Sequence, residues 1–525
     1  MKKKVKKDDN MVGEYSMVGR THTICMNGFE AVPVEVEVNI LPGYMGMQII
    51  GLGDSAVKES KDRIRSAIVQ SGFDYPVGYI IVNLAPNEVP KEGAMAELAI
   101  AIAILIASGQ VDAEVFFDKV ILGSLSLDGR IQAPDRILSA AITVRAQKFY
   151  NILITPFSVV SRLQCIPGLT FYGVSKLGEI ILAIEGGKKY GYKPVSLLNE
   201  EEPVIDISHI RGQEGAKLGL AYAATGRHHL MMIGAPGVGK SMLARAFEFL
   251  LPDLTLDESL EITNIYSSAK LVTDKLITRP PFRAPHHTSS DVALVGGGSM
   301  PIPGEITMAH HGTLFLDELF EFKNSTLQSL REPLEEKKIL VSRARRSVLF
   351  PADFIMLTTT NPCRCGYILS LVKKCSCRPQ EALNLFRKVV GPFLDRISIE
   401  VELNEQSSSV IQKNQVASKG SRWYKSKITE ARKRMLYRNK GIFNSRLQAD
   451  FIYEIYDTFP GWREKVLRYS SFYNLSHRGL INTLKLGLSI MDFQESSSMK
   501  ESFIDEAFSF RVAARLQNLL LEMAA

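Results

Sequence analysis

The first part of the chain alternates between strand-like and helix-like patterns of apolar residues. Val32 to Ile40 sets apolar against mostly polar side chains at a period of two, which predicts a half-buried strand. Asp54 to Ser71 repeats its apolar side chains at helical spacing, and Ala96 to Ile106 is apolar enough for a buried helix. Tyr79 to Leu84 predicts another strand, and Ser124 to Arg130 a hairpin. These elements indicate an α/β domain with no catalytic constellation of its own.

A strand, a glycine-rich turn and a helix follow one another near the middle of the chain. Leu230 to Ile233 is an apolar strand, a helix begins at Lys240, and the spacing Gly-x-x-x-x-Gly-Lys-Ser between them is the P-loop pattern. Its glycines let consecutive N–H groups turn toward phosphate oxygens, and the helix N-terminus adds positive charge. The predicted nucleotide-binding residues are Gly234, Ala235, Pro236, Gly237, Val238, Gly239, Lys240, Ser241 and Met242.

Two further apolar strands end in polar residues that suit ATP hydrolysis. The first ends in Asp317 and Glu318. Asp317 and the Ser241 hydroxyl would hold Mg²⁺, Lys240 would reach the β- and γ-phosphates, and Glu318 would act as base on the attacking water. The second strand ends in Asn361, which would orient the same water. The sequence therefore predicts an ATPase that uses ATP and Mg²⁺; the alternative is a buried strand with a polar cap.

Length and composition fit a protein of several domains. At 525 residues we expect roughly three, since domains usually hold about 150 residues. The longest apolar run, Leu98 to Ala107, is too short to cross a bilayer, so no membrane partner is expected. The breaker-rich stretch 186–204 predicts a linker. The expected division is a basic tail at 1–19, an α/β domain at 20–185, the linker, an ATPase core at 205–403, and a basic segment with helices at 404–525.

Four of the six cysteines crowd together: Cys363, Cys365, Cys375 and Cys377. Four thiolates in two close pairs fit a tetrahedral, structural Zn²⁺ site that staples a loop. The alternative is four free thiols, because C-x-C is a less diagnostic spacing than C-x-x-C. Either way, the usage indicates a reducing, cytoplasmic location.

The net charge of +7 is concentrated in one window. Between residues 405 and 450, eleven Lys and Arg residues stand against three Asp and Glu residues, so this window alone carries +8. Such a charge favours a polyanion, and DNA is the partner we expect. The alternative is a solvated helix over Ile428 to Lys440.

Two arginines and two histidine pairs carry weaker signals. From residue types alone, Arg396 and Arg478 are expected to be surface ion pairs. The pairs His286-His287 and His310-His311 are expected to serve packing or capping, because no carboxylate stands beside them at helical spacing.

The motifs together resemble a known family, the YifB/ComM group of magnesium-chelatase-like AAA+ ATPases. The resemblance runs from about residue 20 to Arg511. Its motifs are Gly51 to Ser60, Val82 to Pro86, Pro90 to Gly93, Ser126 to Arg130, Arg279 to Thr288, Ala293 to Gly298, Asn361 to Tyr367, and Leu394 to Ile397.

The resemblance implies three parts and two roles. The N-terminal domain would have the Lon protease C-terminal fold, of the ribosomal-S5-domain-2-like kind, followed by an AAA+ core and a helical lid of the magnesium-chelatase C-terminal type. Arg396 would be an arginine finger on a neighbouring subunit's ATP, and Arg478 the sensor arginine of the lid; both roles replace the surface ion-pair expectation. A finger acting on a neighbour requires a homo-oligomeric ring, expected to be a hexamer.

The N-terminal domain departs from a Lon-like protease. Such a protease needs a serine nucleophile and an activating lysine. Gly93 to Ala99 contains no serine, and Ala133 to Ser139 contains no lysine. We therefore expect a docking or assembly module without proteolytic activity.

Two functions remain open at this point. ComM-like relatives suggest a DNA motor that couples ATP hydrolysis to branch migration or helicase activity on single-stranded or branched DNA during natural transformation. The alternative is a protein-remodelling ATPase, like the motor subunit of magnesium chelatase, without a DNA substrate. A mere nucleotide switch is disfavoured, because it would not need a water-activating base such as Glu318.

Overall fold

The structure is a computed structural model. It describes residues 18–27, 30–51, 55–87, 94–147, 150–195, 202–269, 271, 276–298, 301–343, 346–370, 372–389, 393–405, 419–513, 516 and 520–521. These residues form two compact units. The first takes in the described residues up to 195 together with those between 263 and 276, and the second takes in 202–262 and the described residues from 277 onward. The boundary between the units falls inside the expected linker 186–204.

The first unit is built on a mixed sheet of seven strands in the order β3-β4-β2-β1-β5-β8-β9. The β2 strand pairs antiparallel with β1 and β4, whereas β3/β4, β1/β5, β5/β8 and β8/β9 are parallel. The strands are β1 (Gly19–Asn27), β2 (Glu30–Leu41), β3 (Gly46–Ile50), β4 (Tyr79–Ala85), β5 (Lys119–Ile121), β8 (Ile152–Pro156) and β9 (Thr170–Val174), with a hairpin of β6 (Ser124–Leu125) and β7 (Ile131–Gln132). The helices are α1 (Ser55–Gln70), α2 (Glu97–Ala107), α3 (Ile137–Gln147), α4 (Phe157–Leu163) and α5 (Ile180–Glu185).

The sequence pattern explains why these elements form. Along β2, the side chains of Val34, Val36 and Val38 are buried, while Glu35 and Glu37 between them remain partly exposed. All eleven residues of α2 are buried, as the apolar run that follows Glu97 predicts. The predicted strands, the two helices and the hairpin are confirmed.

A deeply buried carboxylate lies inside this first unit. Glu97, at the start of α2, is 2% exposed; its carboxylate accepts hydrogen bonds from Arg63 at 2.5 and 3.0 Å and from the N–H of Leu125 at 2.7 Å. A buried carboxylate needs such partners to offset its lost hydration. Glu97 therefore has a structural role in the segment where a protease would need its serine.

The second unit contains an all-parallel sheet of five strands in the order β11-β14-β17-β10-β18. The strand β17 lies between the P-loop strand β10 and the acidic strand β14, so the polar ends of all three meet at one edge. These strands are β10 (Leu230–Gly234), β11 (Phe282–Arg283), β14 (Thr313–Leu316), β17 (Ile355–Thr360) and β18 (Ile399–Leu403). Two short pairs are β12 (Gly296–Gly297) with β13 (Ile302–Pro303), and β15 (Lys338–Arg343) with β16 (Arg346–Pro351).

Helices cover this sheet and continue into a helical C-terminal part. Around the sheet lie α6 (Glu214–Gly226), α7 (Lys240–Phe247), α8 (Leu256–Ser268), α9 (Asp291–Val295), α10 (Glu305–Met308), α11 (Asn324–Ser329), α12 (Arg331–Glu336) and α13 (Pro379–Val389). The end of α8, from Thr263, groups with the first unit. The C-terminal part holds α14 (Ser421–Arg438), α15 (Ala449–Tyr456), α16 (Trp462–Phe472), α17 (His477–Phe493) and α18 (Glu501–Ser509).

The C-terminal helices share one hydrophobic core with the sheet. The ring of Tyr222 on α6 meets Phe493 of α17 edge to face, with 5.4 Å between ring centroids. The imidazole Nε2 of His228 lies 2.7 Å from the Ser489 hydroxyl on the same helix, and burial lowers the pKa of His228 to about 3. A neutral imidazole thus joins α17 to the segment that leads into β10. Within the described part of the chain, no helix is long and apolar enough to cross a membrane.

Candidate functional site

The P-loop leaves the sheet at the carboxyl end of β10 and closes onto the first turn of α7. Gly237 and Gly239 have φ angles of +83° and +96°, which L side chains rarely adopt, and open space surrounds both α-carbons where a side chain would start. The expected strand, turn and helix are confirmed. An open loop of this kind leaves room for the phosphates of a nucleotide beside the backbone N–H groups.

Lys240 folds back over the loop that carries it. Its ammonium donates to the carbonyl oxygens of Gly234 at 2.6 Å and Ala235 at 2.9 Å, and to Oδ1 of Asn361 at 2.9 Å. Burial lowers the pKa of Lys240, although the nearby Asp317 and Glu318 carboxylates oppose this shift. The structure therefore brings the P-loop lysine and the predicted water-orienting amide into direct contact.

The predicted magnesium ligands face each other across the sheet edge. The Ser241 hydroxyl donates to Oδ2 of Asp317 at 3.2 Å. Hydroxyl and carboxylate oxygens are the ligand type that Mg²⁺ prefers. The next residue, Glu318, has left-handed backbone angles of φ 54° and ψ 56°, a costly conformation for a residue other than glycine. This backbone geometry is of the kind that clusters at functional sites.

Thr359, on the central strand β17, contacts both Asp317 and Glu318, a role that the sequence did not predict. Its hydroxyl donates to Oδ1 of Asp317 and accepts the N–H of Glu318 at 3.0 Å. The available signal was the run Thr358 to Thr360, three polar residues in a strand whose other residues are apolar and which is buried throughout. Since β17 lies between β10 and β14, this side chain fixes the position of the acids relative to the P-loop.

A cleft of about 750 Å³ opens beside these groups. Glu318 and Asn361 line it, together with His287, Cys363 and Arg364. Nδ1 of His287 lies 4.0 Å from Oε2 of Glu318. His287 is therefore placed to influence the carboxylate predicted to act as base, a role that its sequence position did not indicate.

Arg396 and Arg478 lie at the opposite end of the parallel sheet from the P-loop. Strand β18 pairs with β10 from Leu230 opposite Ile399 to Gly234 opposite Leu403, so the P-loop follows one end of the pair and Arg396 precedes the other. The rise of a parallel strand separates these two ends by about 13 Å. Neither arginine is brought to the P-loop of its own chain.

The two arginines share one carboxylate oxygen in a second cleft of about 590 Å³. Arg396 Nη2 lies 2.5 Å and Arg478 Nη2 2.6 Å from Oε1 of Glu335 on α12. The side chain of Arg396 is only 8% exposed, so the expectation of an ordinary surface pair is wrong for this residue. Its position just before β18 places it in the crowded turn against α17.

Arg511, a residue that we did not single out from the sequence, joins the segments that carry the two arginines. Its guanidinium donates to the carbonyl oxygens of Ile397 at 2.9 Å and Gly479 at 2.7 Å, and to the Thr483 hydroxyl at 2.8 Å. Asn482 adds a hydrogen bond to the carbonyl of Asp395 at 2.7 Å. The relative position of the turn and the helix is therefore fixed by buried polar contacts.

The four clustered cysteines come together in space. Their sulfur atoms all lie within 4.8 Å of one another, and three of the pairs are 3.4, 3.4 and 3.7 Å apart. Bonds of about 2.3 Å to a tetrahedral Zn²⁺ would place sulfurs close to these separations. The donor set therefore fits zinc. The same loop touches the P-loop, because a Cβ on Gly366 would lie 2.4 Å from Cδ of Pro236.

The His310-His311 pair meets a carboxylate that the sequence did not reveal. Oxygens of Glu261 lie 3.2 Å from Nε2 of His310 and 3.0 Å from Nε2 of His311. Nδ1 of His310 accepts the N–H of Asp353 at 2.9 Å, so the proton of the neutral ring sits on Nε2, the nitrogen that lies 3.2 Å from Glu261. A metal at that nitrogen would have to displace this proton, and we interpret the cluster as a polar packing contact.

Most of the basic window is engaged within the protein. Arg438 pairs with both oxygens of Asp492, Lys425 with Asp253 at 2.7 Å, and Arg446 with Asp353. Arg432 donates twice to the carbonyl oxygen of Ala224, at 2.6 and 2.9 Å. Lys413 lies outside the described residues. Several charges of this window therefore form contacts within the protein, so its count of +8 overstates the charge that is available to a partner.

Three family models match successive parts of the chain. Residues 36–158 match "Subunit ChlI of Mg-chelatase", residues 206–411 match "Magnesium chelatase, subunit ChlI", and residues 418–511 match "Magnesium chelatase, subunit ChlI C-terminal". A P-loop, an acidic strand end and a parallel five-stranded sheet, combined with these matches, define a magnesium-chelatase-like AAA+ ATPase.

Curated relatives narrow this class. The chain is 35% identical over 500 residues to the uncharacterized protein YifB of Escherichia coli K12, covering 94% of this chain and 97% of the relative. It is 34% identical over 511 residues to the competence protein ComM of Haemophilus influenzae, covering 94% and 98%. The chain therefore belongs to the YifB/ComM family.

The contacts of Thr359 generate a prediction at the nucleotide site. Thr359→Val keeps the side-chain shape but removes the hydroxyl between Asp317 and the backbone of Glu318. We expect kcat for ATP hydrolysis to fall by roughly one to two orders of magnitude, the effect of losing a hydrogen bond to a charged group. Steady-state ATPase assays across a Mg²⁺ series would measure it.

Thr358→Val is the matched control, because the buried Thr358 hydroxyl has no hydrogen-bond partner among the described residues. We expect its ATPase rate to stay near that of the wild type. Equal losses in both variants would show that Thr359 acts only through the packing of β17.

Proposed function

We propose that this chain is the subunit of a Mg²⁺-dependent, ATP-hydrolysing ring whose nucleotide sites are completed by a neighbouring copy. The observation that carries the proposal is the position of Arg396 and Arg478 at the opposite sheet end from the P-loop. Arginines that stabilise charge on transferring phosphoryl oxygens must contact them. Only the nucleotide of another subunit can satisfy this condition, and a head-to-tail contact of this kind closes into a ring, which we propose to be a hexamer.

Each residue of the site then has a defined task. Lys240 exchanges its carbonyl contacts for the β- and γ-phosphate oxygens, and the backbone N–H groups of the P-loop, which Pro236 lacks, cradle the phosphates. Ser241 and Asp317 would hold Mg²⁺, which neutralises phosphate charge when bound. The Glu318 carboxylate accepts a proton from the attacking water, and the Asn361 amide orients that water.

The remaining parts of the chain support the ring. We propose that residues 20–185 form a Lon-C/S5-domain-2-like module that docks or assembles without proteolysis. This agrees with the structural role of Glu97 in the segment that lacks a serine. We propose that the helices of 404–525 serve as the lid that carries Arg478 as sensor. Their shared core with the sheet supports the transmission of lid position to the ATPase core.

Mixing two inactive variants tests the contribution of a neighbour. Glu318→Gln lacks the base but keeps its arginines, whereas Arg396→Ala keeps the base but lacks the finger. Each variant alone should bind ATP and hardly hydrolyse it. In an equimolar mixture about a quarter of head-to-tail interfaces regain both groups, so ATPase activity should reappear.

The exposed Arg468 supplies a control, since its partner Glu464 is exposed as well. Arg468→Ala should retain the wild-type rate, and mixing it with Glu318→Gln should give no more than dilution predicts. A mixture of Glu318→Gln and Arg396→Ala that stays inactive would contradict the proposal.

We further propose that Cys363, Cys365, Cys375 and Cys377 hold a structural Zn²⁺ ion in a reducing, cytoplasmic environment. The four sulfurs support this by their spacing, and the backbone N–H groups of Cys365 and Cys377 donate to cluster sulfurs at 3.3 Å, which favours thiolates. With four protein ligands, the ion would have no open position for catalysis. Its role would be to hold the loop that contacts Pro236.

Metal analysis of the purified protein tests the zinc proposal. We expect about one zinc per chain, as four thiolates complete one tetrahedral site. Cys363→Ser should lose the metal, while Cys165→Ser, whose thiol is buried elsewhere, should keep it. Zinc-free protein with full ATPase activity would refute a structural ion at this loop.

We propose DNA, single-stranded or branched, as the substrate that the ring moves along, with branch migration or helicase activity in natural transformation. The support is the similarity to a relative named for competence, over nearly the whole of both chains. On α14, Arg434 contributes a 40% exposed guanidinium, whose ion-pair partner Glu495 lies 4.0 Å away.

A protein-remodelling ATPase is the second candidate. The observation that favours it is the internal pairing of Lys425, Arg438 and Arg446, which removes charges that a DNA-binding stripe would need. In this case nucleotide state would change the affinity for a protein partner of the N-terminal module.

Stimulation of the ATPase separates the two candidates. If DNA is the substrate, forked and single-stranded DNA should raise the steady-state rate several-fold at low salt, and the stimulation should decline as salt rises because phosphate contacts release counterions. The Glu318→Gln variant provides the blank. A basal rate that is indifferent to both DNA forms at low salt would contradict the DNA motor and favour the remodelling ATPase.

A further inference from the structure

In the second cleft, Arg396 and Arg478 both form an ion pair with the same carboxylate, that of Glu335. Oε1 of Glu335 receives Arg396 and Arg478 together, although two guanidinium groups so close repel each other. Burial lowers the pKa of Arg396 most, the neighbouring arginines lower it further, and Glu335 opposes the shift. This carboxylate therefore offsets the repulsion that would otherwise separate the two side chains.

The cleft carries more positive charge than its carboxylates neutralise. Six cations line it: Arg227, Lys337, Arg396, Arg446, Arg478 and Lys485. Two carboxylates form ion pairs with them among the described residues, since Asp353 pairs with Arg227 and Arg446, and Glu335 pairs with the other two arginines. The surplus is four positive charges.

The two lysines have only neutral partners in the described contacts. Lys337 donates to the carbonyl oxygen of Leu334 at 2.9 Å, and Lys485 to that of Ser445 at 3.1 Å. Burial lowers the pKa of each lysine to about 8, and nearby cations act in the same direction, while the Asp353 carboxylate opposes the shift at Lys337. A site with this charge surplus, including two ammonium groups that form no ion pair among the described contacts, attracts a multiply charged anion.

We propose that Glu335 is a resting counter-ion, which holds Arg396 and Arg478 side by side in the free subunit and is displaced by the triphosphate carried by a second copy of this chain. This inference rests on the proposed ring. A triphosphate carries more negative charge than one carboxylate, and its oxygens accept the paired N–H donors of arginine. Glu335 is 37% exposed and lies at the end of the short helix α12, so its side chain can swing aside.

In this arrangement Glu335 has two opposed effects on the contact between subunits. The carboxylate keeps the arginines ordered, and it also competes with the incoming phosphates. The positive surplus from Lys337 and Lys485 remains when Glu335 becomes neutral. Removing the charge should therefore strengthen the contact between subunits without reducing the maximal rate.

The test uses the full chain with Glu335→Gln, which keeps the side-chain size and removes the charge. The measured quantity is the subunit concentration that gives half-maximal ATPase activity at saturating ATP. We expect this concentration to fall roughly three- to fivefold, the range for losing one partly exposed charge pair, with kcat at saturating protein unchanged within about twofold.

Sedimentation velocity gives a readout that is independent of hydrolysis. In the Glu318→Gln background, which keeps ATP bound, adding Glu335→Gln should move assembly to lower ATP concentrations. Glu335→Asp retains the charge and should assemble like its parent. Glu336→Gln, the exposed neighbour on the same helix, is the matched control and should change neither quantity.

An unchanged or raised half-maximal concentration would overturn the proposal. A loss of kcat at saturating protein would also overturn it, because Glu335 would then be part of the active arrangement.

If Glu335→Gln misfolds, as judged by its Tm, Glu335→Ser is measured in its place. Tighter binding of single-stranded DNA with unchanged assembly would also overturn it, since the displacing anion would then be nucleic acid. The mixture of Glu318→Gln and Arg396→Ala separates the two levels: if it recovers activity while Glu335→Gln has no effect, only the counter-ion proposal fails.

Discussion

The direction of the parallel strands is the constraint on which the functional arrangement depends. Every strand of the five-stranded sheet runs the same way, so the loops that follow the strands gather at one end and the turns that precede them at the other. The P-loop, the Asp317–Glu318 pair and Asn361 follow strands, whereas Arg396 precedes one. Side-chain flexibility cannot undo this separation, because the hydrogen-bonded register between β10 and β18 fixes it.

The sequence predicted those parts of the molecule that local patterns determine. The P-loop was predictable because its glycine spacing places Gly237 and Gly239 where the backbone needs positive φ angles. The acidic strand end was predictable because an apolar run stops at two carboxylates. The strand β2 was predictable because its burial alternates at the period of a strand, and α2 was predictable because the residues after Glu97 form an unbroken apolar run. Local chemistry and local geometry agree at these positions.

The missed residues act through contacts between distant segments. Thr359 is one of three consecutive threonines, and only the insertion of β17 between β10 and β14 selects it to hold the acids. Glu335 forms ion pairs with two arginines that lie 61 and 143 positions further along the chain, so its role cannot be predicted from its local sequence. The basic window depends on distant contacts as well, since a count of charges cannot show that Asp492 and Asp253 already neutralise some of them.

Arg511 gives the end of the helical region an importance that its distance from the P-loop conceals. Its guanidinium fastens the carbonyl of Ile397, next to the proposed finger, to the carbonyl of Gly479, next to the proposed sensor. A chain cut short before Arg511 would keep its entire phosphate loop and both acids. It would nevertheless lose the hydrogen bonds that hold the segments of Arg396 and Arg478 together. Such a chain could keep its nucleotide-binding residues and still fail to present its arginines correctly.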